Sequence, residues 1–317
     1  MSPRARSAST QPEGRHPHPL LEGIWRVADP KITLASVAAM LLGGAAAGHD
    51  GPIAWGWLAL TVLGIFFVEA AKNASGEVFD WDSGTDQAIT DEERTPFSGG
   101  KRLLVDGLLT RRQVIMVAGA FYVLGAGCGI AIVLLREPSV IAWGLAGFAL
   151  AYFYHAPPLR LSYRGLGELA VGVAYGPIIA CGTYLVQRHQ VSPELALASI
   201  PLGVAIAAFL WINEFPDLRA DREAGKRTLV VRLGRARAAR AFALLIAGTY
   251  VTLLALPLAG LPATLWLGVV GLPHGVRAAR RLLRHAEEPQ KLIAAQAWTL
   301  ASFVLLSVGM SLGWLWA

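Results

Sequence analysis

Nine apolar stretches, most of them near the roughly 20 residues that a helix needs to cross a bilayer, divide the chain between residues 32 and 316. They run over residues 32–48, 53–79, 114–135, 140–155, 166–186, 195–215, 238–258, 263–283 and 293–316, the first and fourth being short. In lipid a backbone must satisfy its own N–H and C=O groups, which a helix does within one segment. The expected fold is therefore an all-α membrane protein of about nine transmembrane helices, bundled around a central cavity that opens near the cytoplasmic side. Composition agrees: 54% of residues are hydrophobic, 16% are charged and the mean hydropathy is +0.48, whereas about a quarter of a soluble chain is charged.

Loop charge orients the bundle, because Lys and Arg gather on the cytoplasmic side of membrane proteins. One set of alternate loops carries Arg94, Lys101, Arg102, Arg111, Arg112, Arg160, Arg164, the run from Arg219 to Arg240, and the cluster from Arg277 to Lys291. The other set carries Arg136 and Arg188 alone. The expected location is the cell (inner) membrane, with the N-terminus and the acid-bearing loops in the cytoplasm. The net charge of +6 is thus explained by orientation in the bilayer, and nucleic acid is not an expected partner. Residues 1–30, rich in Arg, Ser, Pro and His, read as a disordered polar tail, His16 and His18 included; residues 31–317 form the membrane domain. Cys128 and Cys181 lie in apolar segments without metal or disulfide spacing and read as small hydrophobes.

Two of the apolar helices run into acids on the same side. In residues 213–234, NEFPDLRADREAGKRTLVVRLG, Asn213, Asp217 and Asp221 recur every fourth residue and share a helical face. In residues 72–87, KNASGEVFDWDSGTDQ, Asn73, Glu77 and Asp80 share a face, and Asp82 and Asp86 follow where Ser83, Gly84 and Thr85 end the helix. The offsets 213−73 and 217−77 are the same, which points to two related halves. Carboxylates crowded at one membrane edge repel each other. Hard oxygen ligands of this kind suit Mg²⁺, which commonly shares them with a substrate phosphate. Glu77, Asp80, Asp86, Asp217 and Asp221 are the candidate metal ligands. Lys72, Lys101, Arg102, Arg160, Lys226 and Arg227 are candidate phosphate contacts.

These two stretches resemble the paired aspartate-rich motifs of the UbiA superfamily of intramembrane prenyltransferases. The second motif, with GKRTLVVRLG, is most similar to the 1,4-dihydroxy-2-naphthoate prenyltransferase branch, as are RTPFSGG from Arg94 and FYHAPPLRLSYRGLGE from Phe153. The first motif departs from the pattern, having Gly76-Glu77 where the family usually has Asn-Asp. The resemblance implies Mg²⁺-dependent transfer of a polyprenyl group from polyprenyl diphosphate to an aromatic acceptor, 1,4-dihydroxy-2-naphthoate first, on the way to menaquinone. The alternatives are 4-hydroxybenzoate, homogentisate or a lipid alcohol. It makes Asp80, Asp217 and Asp221 the catalytic acids, with Asn73 and Asn213 beside them on the substrate. An allylic cation calls for π faces, and Tyr154 and Trp211, with Tyr152, Tyr175 and Phe209, lie within a few turns of the motifs.

Glu69 sits deep in its span, where an acid is costly and has a role by default; it either extends the metal face or pairs with Lys72. Glu168 either orients the acceptor or begins a helix, and His155 is either a proton acceptor or structural. A solute or ion transporter is the rival from another class, but transporter sites lie nearer the bilayer midplane. A phosphatidyl-transferring enzyme lacks its upstream DGxxAR element here.

Overall fold

The computed structural model describes residues 18–317, and the tail residues before them, with His16, lie outside the described part. Its named elements are helices: α1 Pro19–Ala28, α2 Pro30–Asp50, α3 Trp55–Asp82, α4 Thr85–Ala88, α5 Arg111–Leu135, α6 Val140–Phe153, α7 Gly167–Val173, α8 Ile179–Arg188, α9 Pro193–Glu223, α10 Leu229–Leu233, α11 Arg235–Ala255, α12 Leu272–His285 and α13 Ile293–Leu315. A π-helical turn at Ala174–Ile178, which contains Pro177, joins α7 and α8 into one span. That is the expected place for such a turn, since a proline removes a helical donor and crowds the preceding carbonyl.

All nine apolar stretches are helical, but among the described residues seven helices are long and apolar enough to cross a membrane. The other two differ for visible reasons. α6 has 14 residues, about 21 Å at 1.5 Å per residue, less than the roughly 30 Å hydrocarbon core. The stretch after residue 262 divides into a 3₁₀ segment, Ala263–Gly271, and α12, whose arginines make it strongly amphipathic. Part of the expected tail is also ordered. α1 buries Gly23 and Val27 and ties Arg26 to Asp106 at 2.7 Å, so its apolar residues are one face of a short helix.

The core has two parts. The larger packs α2, α8, α9, α11, α12 and α13 around Leu42, Leu202, Phe215, Phe242 and Phe303. The smaller packs Val27, Ala74 and Val78 against Leu103, Leu109 and Val114. Between α3, α5, α6 and the α7–α8 span lies a cavity of about 700 Å³. Small residues make room for the helices to approach: a Cβ on Gly125 would come within 2.7 Å of Val68, and one on Gly203 within 2.4 Å of the Gly172 carbonyl.

Candidate active site

Helix α9 ends so as to fold a lysine back over its own acids. Gly225, at φ 76°, donates to the Arg222 carbonyl, and Lys226 N–H donates to that of Asp221 at 2.8 Å. This is the paired closure that a left-handed glycine provides after a helix. Lys226 Nζ then lies 2.9 Å from Asp80 Oδ1 and 3.5 Å from Asp221 Oδ1, with all three side chains largely buried. The two motifs therefore meet through one cation. Burial favours the neutral amine, but Asp80 and Asp221 hold Lys226 well above the usual lysine range. Tyr163 completes the contact, its hydroxyl 3.0 Å from Asp80 Oδ1 and 2.8 Å from Ser83 Oγ.

A second connection runs through the loop after Phe97. Gly99 N–H donates to Asp217 Oδ2 at 3.3 Å, Lys101 N–H to Glu77 Oε1 at 2.5 Å, and Leu103 N–H to Glu77 Oε2 at 2.9 Å. One end of the loop thus holds the second motif and the other the first. Gly100, at φ 72°, lies against Asp86, and a Cβ there would come within 2.9 Å of Asp86 Oδ1. Burial, then the charges of Asp80 and Glu77, push Asp86 up to about 9. Burial also takes His155 down to about 4, although Asp80, 3.8 Å from its Nε2, pulls the other way.

The candidate phosphate contacts are not alike. Lys101 is ion-paired with Asp29, and Arg102 with Asp106 at 2.9 Å. Arg160 lies over the Tyr163 ring at 4.7 Å, and the Arg227 side chain is exposed while its N–H donates to the Tyr163 carbonyl. Asn73 donates to the Val27 carbonyl at 2.8 Å and so ties α3 to α1. Trp211 is packed in the larger core with its indole N–H on the Ala238 carbonyl at 3.1 Å, away from the cavity lining. Among the described residues no three His, Cys, Asp or Glu side chains form a ready cage for an ion. The donors nevertheless suit a hard divalent cation. Asn213 Oδ1 and Asp217 Oδ1 are buried without a partner among the described residues, a state that buried polar atoms rarely keep.

Comparison with known proteins decides the class. The model of the UbiA prenyltransferase family matches residues 36–303. The chain belongs to this family. A 1,4-dihydroxy-2-naphthoate octaprenyltransferase of Mycobacterium tuberculosis is 32% identical over 259 residues, 80% of this chain and 83% of that protein. One from Bacillus subtilis is 25% identical over 92% of this chain and 91% of its own length. In fold, the chain is similar to a UbiA homolog from Archaeoglobus fulgidus bound to DMAPP and Mg²⁺, with a TM-score of 0.64 at 16% identity, over 91% of this chain and 99% of that one. The protein is accordingly a prenyltransferase, and the transporter reading is set aside.

Within this UbiA chain, sequence reasoning missed several contacts. Tyr163 on Asp80 comes from a three-residue 3₁₀ turn, Leu161–Tyr163, and the Gly99 amide on Asp217 from a loop, where no helical period signals a partner. Glu168 accepts from Leu229 N–H at 2.8 Å, and its other oxygen, like Glu214 Oε2, is buried without a hydrogen-bond donor among the described residues. Glu69 accepts from Ser36 Oγ at 2.8 Å and from the Tyr175 hydroxyl at 2.6 Å, joining α2, α3 and the π-helical turn. Neither the metal-face nor the lysine-pair expectation for Glu69 describes those contacts. Tyr154 and Tyr175 line the cavity; Tyr152 and Phe209 do not.

Proposed function

We propose that the chain transfers a polyprenyl group from its diphosphate to 1,4-dihydroxy-2-naphthoate, with Mg²⁺, at the cytoplasmic face of the cell membrane. The observation that carries this reading is the succession from cavity to acids. Tyr154 lines the apolar cavity, its ring meets that of His155 at 4.7 Å, and His155 in turn lies 3.8 Å from Asp80. A prenyl chain lying in the cavity would place its diphosphate beside Asp80, Asp217 and Asp221. The acceptor is taken from the names of the relatives.

Asp80, Asp86, Asp217 and Asp221, with Asn213, are the residues that would hold the metal. When bound, Mg²⁺ supplies charge neutralisation for the departing diphosphate. The rest of the work falls to the chain itself. Lys226 and Arg160, held against Tyr163, supply positive charge beside the acids. The apolar cavity excludes water from an allylic cation, while the faces of Tyr154 and Tyr175 stabilise it. The allylic C–O bond breaks with its electron pair leaving on the diphosphate, and the electron-rich ring carbon forms the new C–C bond. The ring then regains aromaticity by losing a proton, or carbon dioxide where the bond forms at the carboxyl-bearing carbon.

Membranes carrying the protein, labelled polyprenyl diphosphate and a panel of acceptors, with and without Mg²⁺, test this reading. A metal-dependent prenylated product from 1,4-dihydroxy-2-naphthoate is expected. Transfer to another ring alone would replace the acceptor, and no metal-dependent product from folded protein would overturn the reading.

A further inference from the structure

We propose that Lys72 receives the carboxylate of an acidic aromatic acceptor and so selects carboxylated rings, an inference that rests on the prenyl-transfer reading above. Lys72 is on α3, and it is the one basic side chain among the described residues that line the 700 Å³ cavity. Its ammonium lies 5.3 Å from the centroid of the Tyr154 ring. Among the described residues no carboxylate oxygen stands within 4.0 Å of it, and it donates no hydrogen bond. Three other basic groups near the acids are occupied: Lys101 by Asp29, Arg102 by Asp106, and Lys226 by Asp80 and Asp221. Glu69, the acid one turn away on the same helix, directs its two oxygens to Ser36 and Tyr175 instead.

An ammonium facing an apolar cavity, with a π face as its close partner and the nearby Glu69 carboxylate bonded to Ser36 and Tyr175, has room for a further anion. The anion it fits is not the diphosphate. Eight residues separate Lys72 from Asp80 along α3, about 12 Å of helix rise. Between the two levels, His155 fills the space over Gly76, where a Cβ would come within 2.8 Å of the ring. What remains at the level of Lys72 is a polar corner of Glu69, Tyr154 and Tyr175 in a cavity otherwise lined almost wholly by apolar groups. A flat ring lying along the Tyr154 face would bring a carboxylate edge to Lys72 and leave its hydroxyls to the tyrosine and Glu69 side. The acid motifs then bind the donor, and Lys72 binds the acceptor.

The test compares two acceptors under anaerobic conditions, 1,4-dihydroxy-2-naphthoate and 1,4-dihydroxynaphthalene, which lacks the carboxylate, in wild type, Lys72→Met and Lys72→Arg. A charge-assisted hydrogen bond is worth enough that wild type should prefer the carboxylated ring in KM by about tenfold or more. That preference should collapse in Lys72→Met and return in Lys72→Arg. Equal losses on both acceptors, or a rise in KM for the polyprenyl diphosphate instead, would overturn the assignment. A wild type indifferent to the carboxylate would overturn it without any variant. Failure of wild type to prenylate either ring is a different result, and it sinks the function reading.

Discussion

Glu77 and Leu103 are joined by a 2.9 Å hydrogen bond from the Leu103 amide to Glu77 Oε2, while the other carboxylate oxygen takes the Lys101 amide at 2.5 Å. The glutamate in the unusual Gly76-Glu77 pair thus spends both oxygens on backbone donors. An aspartate is one methylene shorter and would not reach the same two amides from the same turn of helix. The longer side chain and the loop it grips are therefore a matched pair.

Replacing Glu77 should loosen that loop before it affects anything else. Hydrogen bonds to a charged group contribute about 1.5–3 kcal/mol each, and Glu77→Ala removes two. Amide hydrogen exchange at residues 99–103 should quicken while α5 and α9 keep their protection. Unchanged exchange in the loop would show that Glu77 does not hold it.

Lys226 is the next residue to test. Removing one partner of a buried ion pair typically costs about 3–5 kcal/mol because the remaining charge is left uncompensated. Lys226→Met leaves both Asp80 and Asp221 in that position. A lower Tm is expected, and added Mg²⁺ should raise the Tm of the variant more than that of wild type. A Tm indifferent to the substitution would mean that the lysine is solvated rather than clamped.

The acids themselves are tested by turnover. Asp217→Ala and Asp221→Ala should each reduce prenyl transfer by at least about a hundredfold, the scale on which a lost electrostatic group acts in a closed site, with membrane insertion intact. Near-normal activity in either variant would remove that residue from the metal set.

Gly76 allows a test by coupling. A Cβ there would meet the His155 ring at 2.8 Å, and overpacking of this kind costs about 1–3 kcal/mol. Gly76→Ala should destabilise wild type and be largely tolerated beside His155→Ala. A double-mutant cycle reads the difference. Additive effects would mean that the histidine moves aside freely.

Much of this architecture was legible because membrane helices declare themselves by length and hydropathy, and because four-residue spacing put Asn213, Asp217 and Asp221 on one face. The count of spans was less legible. Hydropathy does not distinguish a 14-residue helix such as α6 from a full crossing, nor show that residues 263–285 change from 3₁₀ to an arginine-faced helix. Pairings across the loops were not legible at all. Lys226 is expected beside a phosphate, but its place between two aspartates follows only from the chain reversal at Gly225. Trp211 reads as a cavity wall until its indole is found on the Ala238 carbonyl. Asp80 and Ala238 are each remote in sequence from the residue they meet, and no local period marks the pairing.

The loop between Gly99 and Leu103 also limits how far the two halves of the enzyme can travel. Its first amide is on Asp217 of α9 and its last on Glu77 of α3. The four residue steps from the Gly99 amide to the Leu103 amide, pulled straight, reach at most about 14 Å. The acids of the two helices are thus on a short leash, and neither half can swing wide to admit a bulky substrate without first letting go of the other.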